Sequence, residues 1–181
     1  MLSVAPTANP IFTGSFSHNR KASTTVGTNS FTAGDNCEAS AEEAHAVGRY
    51  TTASGAYSHA EGNYTTASGM AAHAEGTVTV ANHANQHVFG EYNVVDASAA
   101  NAWSRGNYVE IVGNGTADNA KSNARALDWA GNEYLDGDLY VNCSANSTNG
   151  YKVIADINNS ITIGSTTITE SQLQALLATL Q

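Results

Sequence analysis

The chain has 181 residues, of which 13% are charged, and its formal net charge at pH 7 is −9. This acidic balance argues against nucleic acid as a partner, because phosphate backbones are bound by basic surfaces. The many small residues and few charges argue against an ordinary two-layer globular domain and against an acidic disordered tail, and they favour a fibrous or repetitive architecture.

Residues 1–23 come first and contain both prolines of the chain. We predict an extended attachment segment here. The N-terminus lacks the basic-then-apolar pattern of a signal peptide, and no apolar run in the chain is long enough to cross a bilayer. We therefore expect no membrane insertion and no export by the general secretory route encoded in this chain.

A seven-residue spacing of glycine organises the next segment, residues 24–93. A helix with this period is excluded, because glycine costs about 1 kcal/mol in a helix interior relative to alanine and leucines at the a and d positions are missing. The short runs between the glycines favour strands closed by turns. The grid positions are Gly27, Gly34, Ala41, Gly48, Gly55, Gly62, Gly69, Gly76, His83 and Gly90.

Two such units make a repeat of 14 residues, as SHAEG at 58–62 and AHAEG at 72–76 illustrate. One strand and one turn in each unit describe a coil with two strands per turn. Successive coils then stack as parallel strands about 4.8 Å apart. A single coil is too small to bury a face, so stacking is required for stability.

Alternation along the predicted strands separates an inner face from an outer face. The residues two and four positions before each grid position are almost all small, and we predict that they fill the narrow inside of the coil. These residues are Cys37, Ala39, Ala44, Ala46, Thr51, Ala53, Ser58, Ala60, Thr65, Ala67, Ala72, Ala74, Thr79, Ala81, Gln86 and Val88.

The outer face differs between the two strands of each coil. One strand presents a distinctive pair of residues, whereas the other presents only threonine and serine. The distinctive pairs are His45 with Val47, His59 with Glu61, His73 with Glu75, and His87 with Phe89.

Residues 94–165 leave the glycine grid and gain aromatic residues, and we predict a small β domain. Its predicted strands cover 108–113, 124–129, 132–141, 151–157 and 160–164. The intervening glycine dipeptides are typical of turns. The two cysteines, Cys37 and Cys143, provide neither a disulfide framework nor a metal-binding spacing, and we predict free thiols.

The last segment, residues 166–181, is predicted to contain a short helix. Thr169 fits an N-cap, and Gln172 follows three residues later as in a capping box. The apolar stripe consists of Leu173, Leu176, Leu177 and Leu180. A helix of this length is unstable alone, so we expect three copies to pack on an axis and clamp a trimer; docking on the chain's own β domain is the alternative.

Several segments resemble known fibre proteins. The SHAEG and TASG repeats are similar to the head repeats of trimeric autotransporter adhesins, and more similar to the head-like repeats of phage and prophage tail-fibre proteins. The segment NQHVFGEYNVVD at 85–96 looks like the usual exit from such a repeat. ANPIFTGSFS at 8–17 and NARALDWAGNEYLDGDLYV at 123–141 resemble other segments of phage fibres.

This resemblance implies the fold class. It is an all-β chain with a left-handed parallel β-roll of 14-residue coils in a homotrimer, followed by a small β domain and a short C-terminal helix. In the adhesin family the outer face of one strand points at the trimer axis and usually carries valine and isoleucine. Here those positions carry histidine and glutamate, so we do not expect a dry apolar axis.

We predict instead polar ladders of histidine and glutamate between three chains, closed by Val47 and Phe89 at the two ends. A carboxylate beside each imidazole should raise the histidine pKa. A solvated ladder with no interface is the alternative. The predicted trimer-interface residues are His45, His59, Glu61, His73, Glu75, His87, Phe89, Leu173, Leu176, Leu177 and Leu180.

Motifs for catalysis are missing from the sequence. There is no GxSxG elbow, and Asp136 and Asp138 bracket a turn glycine, which favours a turn over an acid–base pair or a calcium site with Glu133. Three histidines per level could bind a metal, but no ligand cluster outside the repeat supports it. We predict no catalytic residue, no metal and no cofactor.

Aromatic side chains offer flat faces for sugar rings, although a small β core also needs them. Trp103, in the polar segment ASAANAWSRGNY, is the aromatic residue that we expect to be exposed. Trp103 and Tyr108 are the predicted receptor contacts. Trp129, Tyr134 and Tyr140 are expected to be core residues.

These observations predict a non-enzymatic, homotrimeric phage fibre or appendage protein located on the virion, on its tail or head. Its partners would be its own copies, other virion, baseplate or capsid proteins, and a bacterial surface glycan bound with avidity. One alternative is a head fibre, collar or spacer without a receptor. Others are a fragment of a bacterial trimeric adhesin and, disfavoured by the missing motifs, a carbohydrate-active or self-cleaving enzyme.

Overall fold

The computed structural model describes residues 14–99, 101–137, 139–141, 151–155, 160–163 and 166–179. The chain divides into two compact units, Met1–Tyr134 and Leu135–Gln181. The regular secondary structure of the described residues is almost all β, and the first unit contains a parallel β-solenoid of about 5 turns. An all-β solenoid is therefore confirmed.

The solenoid is built from long and short strands that alternate along the chain. Strands of five residues or more pair in parallel to form one face, and two-residue strands pair in parallel to form a second face. In chain order these strands are β1 (Phe16–Arg20), β2 (Phe31–Ala39), β3 (His45–Arg49), β4 (Thr52–Ala53), β5 (His59–Asn63), β6 (Thr66–Ala67), β7 (His73–Thr77), β8 (Val80–Ala81) and β9 (His87–Glu91).

The register follows the repeat. His45 lies opposite His59 and His59 opposite His73, while the short strands pair Ala53 with Ala67. Each coil thus adds one long and one short strand, and each residue lies on the equivalent residue of the next coil. The predicted coil of 14 residues with two strands per turn is confirmed.

The core is the narrow inside of the coils. All sixteen residues predicted to point inward are buried, with relative exposures of 0–3%. At the C-terminal end of the solenoid, the buried Ile111 and Ala126 join the same cluster. The core is made almost entirely of small side chains because the two faces of each coil lie too close together for larger ones.

At the eight grid positions that carry glycine, the coils approach each other too closely for a side chain; Ala41 and His83 occupy the other two. A Cβ built on Gly62 would overlap the carbonyl oxygen of Gly76 in the next coil, and Gly62 also has a positive φ of 106°. Neither the space nor the backbone conformation suits a side chain. The glycine pattern in the sequence therefore marks positions where the backbones of successive coils are in contact.

A second seven-residue series forms the corners, and the sequence analysis did not identify it. The residue two positions after each grid position is left-handed, with φ between 43° and 61°. Several of these corner residues donate their N–H to the carbonyl fifteen residues earlier, in the preceding coil; for Tyr64 and Arg49 the distance is 2.9 Å. The series comprises Asn29, Asn36, Glu43, Tyr50, Tyr57, Tyr64, Ala71, Val78, Asn85 and Tyr92.

The solenoid extends beyond the repeat at both ends. Strand β1 pairs in parallel with β2 and is therefore part of the solenoid. It lies within residues 1–23, which we expected to be an extended attachment segment. At the other end β10 (Tyr108–Asn114) pairs in parallel with β9. Strand β11 (Asn123–Asp128) pairs with β10 in the antiparallel direction, and β12 (Glu133–Leu135) lies beside β11. The predicted strands at 108–113 and 124–129 correspond to β10 and β11.

The second unit contains a four-stranded antiparallel sheet. Its strands are β13 (Leu139–Val141), β14 (Tyr151–Ala155), β15 (Ser160–Ile163) and β16 (Thr166–Thr169), in that spatial order. The predicted strands at 151–157 and 160–164 correspond to β14 and β15. The segment boundaries predicted from the sequence lie at 93/94 and 165/166. The chain divides into its two compact units at a different position, after Tyr134.

Helix α1 (Glu170–Thr179) follows β16. The Thr169 N–H donates to Gln172 Oε1 at 2.9 Å, and the Gln172 N–H donates to Thr169 Oγ1 at 3.3 Å. This reciprocal pair has the form of a capping box. The side chains of Leu173, Leu176 and Leu177, and all of Leu180, lie outside the part of the chain that the structure describes. Among the described residues, no helix has the length and apolarity needed to cross a bilayer.

Replacing a grid glycine should disrupt the stack. We expect Gly62→Ala to lower the free energy of unfolding by more than the roughly 1–2 kcal/mol that a left-handed alanine costs, because its Cβ also meets the next coil. Gly131→Ala is the matched control, since Gly131 has φ of 87° but nothing within 4 Å of the added Cβ. Urea denaturation followed by circular dichroism measures both, and equal losses would contradict the close-approach argument.

Candidate functional site

A column of stacked rings runs along the long strands. Its members occupy equivalent positions in successive coils, so the register places one ring above the next. The ring centroids of His59 and His73 are 4.7 Å apart with an interplanar angle of 6°, and those of His73 and His87 are 4.8 Å apart at 15°. The column consists of Phe16, Phe31, His45, His59, His73 and His87.

Glutamates accompany the middle of this column. Glu61 lies between two imidazoles, with its carboxylate oxygens 3.8 Å from His59 Nε2 and 3.9 Å from His73 Nε2. Glu75 repeats the arrangement one coil later, 4.0 Å from His73 Nε2 and 3.7 Å from His87 Nε2. We call these five side chains the histidine ladder; their exposures lie between 36% and 44%.

The two ends of the column are apolar. Phe16 stacks on Phe31 with ring centroids 5.3 Å apart, and at the other end the His87 ring lies 5.2 Å from that of Phe89. Val47 takes the position of Glu61 one coil earlier. The structure therefore brings together His45, His59, Glu61, His73, Glu75, His87 and Phe89, the predicted interface residues of the repeat, on one face of one chain.

The prediction that a neighbouring carboxylate raises the histidine pKa is wrong for His73. Its pKa lies below the ordinary value of 6.5, chiefly because burial disfavours the charged imidazole and secondly because His59 and His87 lie beside it; Glu75 and Glu61 oppose this only in part. The residue pairs visible in the sequence place a carboxylate beside each imidazole, but they do not show the two imidazoles that stacking places beside His73. In-register stacking places His73 between two other imidazoles, which favours its neutral form.

A polar cluster closes the C-terminal end of the repeat. Asp96 is 4% exposed, and its carboxylate accepts the N–H groups of Asn107 at 2.7 Å and Tyr108 at 3.1 Å. Its other oxygen accepts the Ser98 N–H at 2.9 Å and lies 4.0 Å from Nε2 of the buried His83. The cluster thus holds both ends of the segment 96–108 against the last coil.

His83 was visible in the sequence only as an exception to the glycine grid. A Cβ is tolerated there because no further repeat coil lies above this corner, and the imidazole instead packs beneath Gly106. The interruption of the grid was the signal that could have located the end of the repeat. Asp96 carried no comparable signal.

Trp103 lines an open groove of about 280 Å³. Its side chain is 66% exposed, the most exposed of the large apolar side chains among the described residues, which confirms the prediction that it is exposed. The segment that carries it is fixed by backbone hydrogen bonds, from Met70 N–H to the Ala102 carbonyl at 2.7 Å and from Ala84 N–H to the Ser104 carbonyl at 3.0 Å. The groove is lined by Ala41, Glu42, Ser54, Gly55, Ala56, Ser68, Met70, Ala102 and Trp103.

The other predicted receptor contact lies elsewhere. Tyr108 packs against the buried core cluster and is not part of the groove lining. Its ring contacts that of Tyr134 edge-on, with centroids 5.8 Å apart. Tyr134 is half-exposed rather than a core residue. Trp129 is partly buried beneath Arg105, whose guanidinium lies 4.1 Å from the ring centroid.

Exposed tyrosines at the corners were missed by the sequence analysis. Tyr50 and Tyr64 stack with ring centroids 4.7 Å apart and an interplanar angle of 13°. Tyr57 lies at the other corner, where Glu42 raises the pKa of its hydroxyl. The signal in the sequence was the repeated tyrosine two residues after a grid glycine.

Cys37 is a buried free thiol, as predicted. Asp136 is exposed, as expected of a turn residue. Asp138 and Cys143 lie outside the described residues, and so does the side chain of Tyr140.

Comparison of the chain with models of protein families, with curated proteins and with solved structures gives no match. Functional inference therefore depends on the geometry of the histidine ladder and of the groove beside Trp103.

Acidification should destabilise the solenoid through His73. Because the pKa of His73 is lower in the folded chain than its ordinary value of 6.5, the unfolded chain binds the proton more tightly. The stabilisation is complete above about pH 6.5 and is lost as the pH falls through that value towards the folded pKa. The charged and titratable groups that face His73 are His59, Glu61, Glu75 and His87.

We expect His73→Gln to show a smaller fall in melting temperature than the parent chain between about pH 7.5 and about pH 5.5 in metal-free buffer. His18→Gln is the control, because His18 is exposed on β1 outside the histidine ladder. An unchanged fall in His73→Gln would contradict the assignment.

Removing the Asp96 carboxylate should release the segment that carries Trp103. Asp96→Ala leaves the N–H groups of Asn107 and Tyr108 without their acceptor, and we expect a loss of about 3 kcal/mol. Hydrogen exchange should accelerate at those two amides more than in the solenoid strands. Asp118→Ala, at an exposed position, should change neither quantity, and unchanged exchange in Asp96→Ala would contradict the role of Asp96.

Proposed function

We propose that this protein is a non-enzymatic, homotrimeric appendage of a phage particle. In this proposal the solenoid is a left-handed β-roll that acts as a stiff spacer, and the groove beside Trp103 binds a glycan on a bacterial surface. The proposal places the protein on the virion, where it also contacts other virion proteins.

The observation that carries the proposal is the exposed Trp103 on a segment fixed by backbone hydrogen bonds. Its side chain is 66% exposed and lines the groove. Backbone hydrogen bonds on both sides of it, at Ala102 and Ser104, fix the segment that carries it. A backbone that is ordered before binding reduces the conformational cost of binding a ligand.

The lining of the groove suits a sugar ring. The indole and the Met70 side chain offer apolar surface, while Ser54, Ser68 and Glu42 offer hydroxyl and carboxylate groups. Sugars present one apolar ring face and several hydroxyls, so this combination can bind both. The groove is shallow and open, and single-site binding would be weak.

Three copies would convert weak binding into avidity. Two features support a trimer with the histidine ladder at its axis. The ladder is only half-exposed within one chain, and its column ends in Phe16, Phe31 and Phe89, apolar groups that a neighbouring copy would cover. The proposed interface also includes Leu173, Leu176, Leu177 and Leu180 of the C-terminal segment.

The second candidate is a spacer that binds no receptor, such as a collar or head fibre. It is favoured by the regular stack itself, because in-register coils joined by parallel pairing make a rod without requiring any binding surface. The two candidates share the trimer and differ in the role of the groove, which allows a direct test.

We expect light scattering at neutral pH, in the presence of chelator, to give a mass three times that of the chain, 18.8 kDa. His59→Ala combined with His73→Ala should lower the stability of the trimer, since both rings would lie at the axis. A monomeric mass would exclude the trimer, and an unchanged trimer in the double variant would move its axis away from the histidine ladder.

Binding of labelled protein to intact bacteria and to immobilised glycans distinguishes a receptor-binding appendage from a spacer. We expect Trp103→Ala to lose at least about tenfold in affinity, the effect of a central aromatic anchor. Trp103→Phe should lose less, and Tyr134→Ala, which removes a half-exposed aromatic outside the groove, should lose nothing. Equal binding by Trp103→Ala and the parent would favour the spacer.

A further inference from the structure

We propose that His73, Glu75 and His87 form a binding site for a divalent transition metal of the zinc type. Each residue offers one ligand atom, and the three atoms all lie within 4.8 Å of one another. All three ligands come from one chain, so the site does not rest on the proposed trimer or on the proposed glycan groove.

The imidazole nitrogens that face the carboxylate lack hydrogen-bond partners. Nε2 of His73 and Nε2 of His87 are both buried atoms without a partner, although the rings that carry them are half-exposed. Glu75 lies 4.0 Å from the first nitrogen and 3.7 Å from the second, too far for a hydrogen bond to either. Two imidazole nitrogens and a carboxylate therefore converge on a region that no described protein donor occupies.

These separations suit a bound ion better than direct contact. Zinc holds nitrogen and oxygen ligands at about 2.0–2.1 Å, which places neighbouring ligands of a tetrahedral site about 3.3 Å apart. The glutamate lies 3.7–4.0 Å from the two nitrogens. Small rotations of these half-exposed side chains would close that difference. The centroids of the two imidazole rings are 4.8 Å apart, so the rings must also tilt to bring their nitrogens closer together.

The donor set also indicates the class of metal. Two imidazoles with one carboxylate suit zinc and its neighbours, whereas calcium and magnesium prefer oxygen ligands alone. Three protein ligands leave a fourth position open to water. The formal charge of −9 over the whole chain favours binding of any cation.

The surroundings define where the site ends. Glu110, which lies opposite His87 in β10, is already paired with Arg125 and is not required as a ligand. In the other direction Glu61 lies between His59 and His73 at similar distances. Within the part of the chain that the structure describes, the three atoms of His73, Glu75 and His87 are the group whose mutual distances fit a metal.

The test is a titration of the tag-free, full chain with Zn²⁺, followed by calorimetry and by thermal unfolding. We expect one Zn²⁺ per chain and a higher melting temperature than in chelator. Co²⁺ in place of Zn²⁺ should give the visible absorption of a tetrahedral site. No heat of binding and no thermal shift in the parent chain would overturn the proposal.

Three variants and one control locate the site. His73→Ala, His87→Ala and Glu75→Gln should each weaken binding by more than about tenfold, the loss that even an outer partner of a metal site can cause. His45→Ala removes an imidazole of the same column that has Val47 rather than a glutamate two residues later, and it should bind as the parent does. If an alanine variant fails to fold, zinc binding by Glu75→Gln tests the proposal, because glutamine keeps the shape of the glutamate side chain.

Two further outcomes would contradict the assignment. Equal weakening by His45→Ala would mean non-specific binding along the column, and unchanged binding by Glu75→Gln would exclude the carboxylate as a ligand. The mass measured in chelator tests the trimer separately, so failure of one idea is distinguishable from failure of the other.

Discussion

The close approach of successive coils is the constraint on which the structure depends. Parallel strands of neighbouring coils lie about 4.8 Å apart, and at the grid positions that carry glycine the backbones leave no room for a Cβ. The corner residues hold this spacing, because the left-handed residue of one coil donates its N–H to a carbonyl of the coil before it. The strain of the left-handed conformation, about 1–2 kcal/mol per residue, is offset by these hydrogen bonds and by burial of the small side chains inside.

The same spacing decides what the outer face can carry. When each coil lies in register on the last, every outward side chain lies close to its own equivalents, and a charge on one coil faces the same charge on the next. Imidazole rings can stack in this arrangement, as those of His59, His73 and His87 do. The lowered pKa of His73 is thus a consequence of the register. Glutamates between the imidazoles reduce the effect but do not reverse it.

Features that depend on spacing along the chain could be predicted from the sequence, whereas features that depend on distances between coils could not. The inner residues and the two strands per coil followed from periodicity and residue size, and the exposure of Trp103 followed from the polar residues around it. The left-handed corners did not, because Tyr64, Ala71 and Val78 share no conformational preference that would mark them. The pKa of His73 required knowledge of which neighbours lie above and below it.

The contacts that continue the stack beyond the two ends of the repeat could not be predicted from the sequence pattern. Parallel pairing of β1 with β2 and of β10 with β9 follows from backbone hydrogen bonds that unrelated residue types can make. The Asp96 carboxylate joins residues that lie far from it along the chain, and no local motif announces such a contact. The short predicted strands of the second unit, in contrast, were identified from local alternation and turn dipeptides.

The two candidate sites use different parts of each coil, and this separation makes both testable in one molecule. The histidine ladder lies on the long strands, whereas the groove beside Trp103 is lined mainly by the corners around the short strands and by the segment that Asp96 holds. A coil can therefore change its outer pair of residues without disturbing the groove, because the two share only the small inner side chains. Substitution in the groove should alter recognition alone, whereas substitution on the ladder should alter metal binding or assembly and should affect recognition only through the loss of avidity.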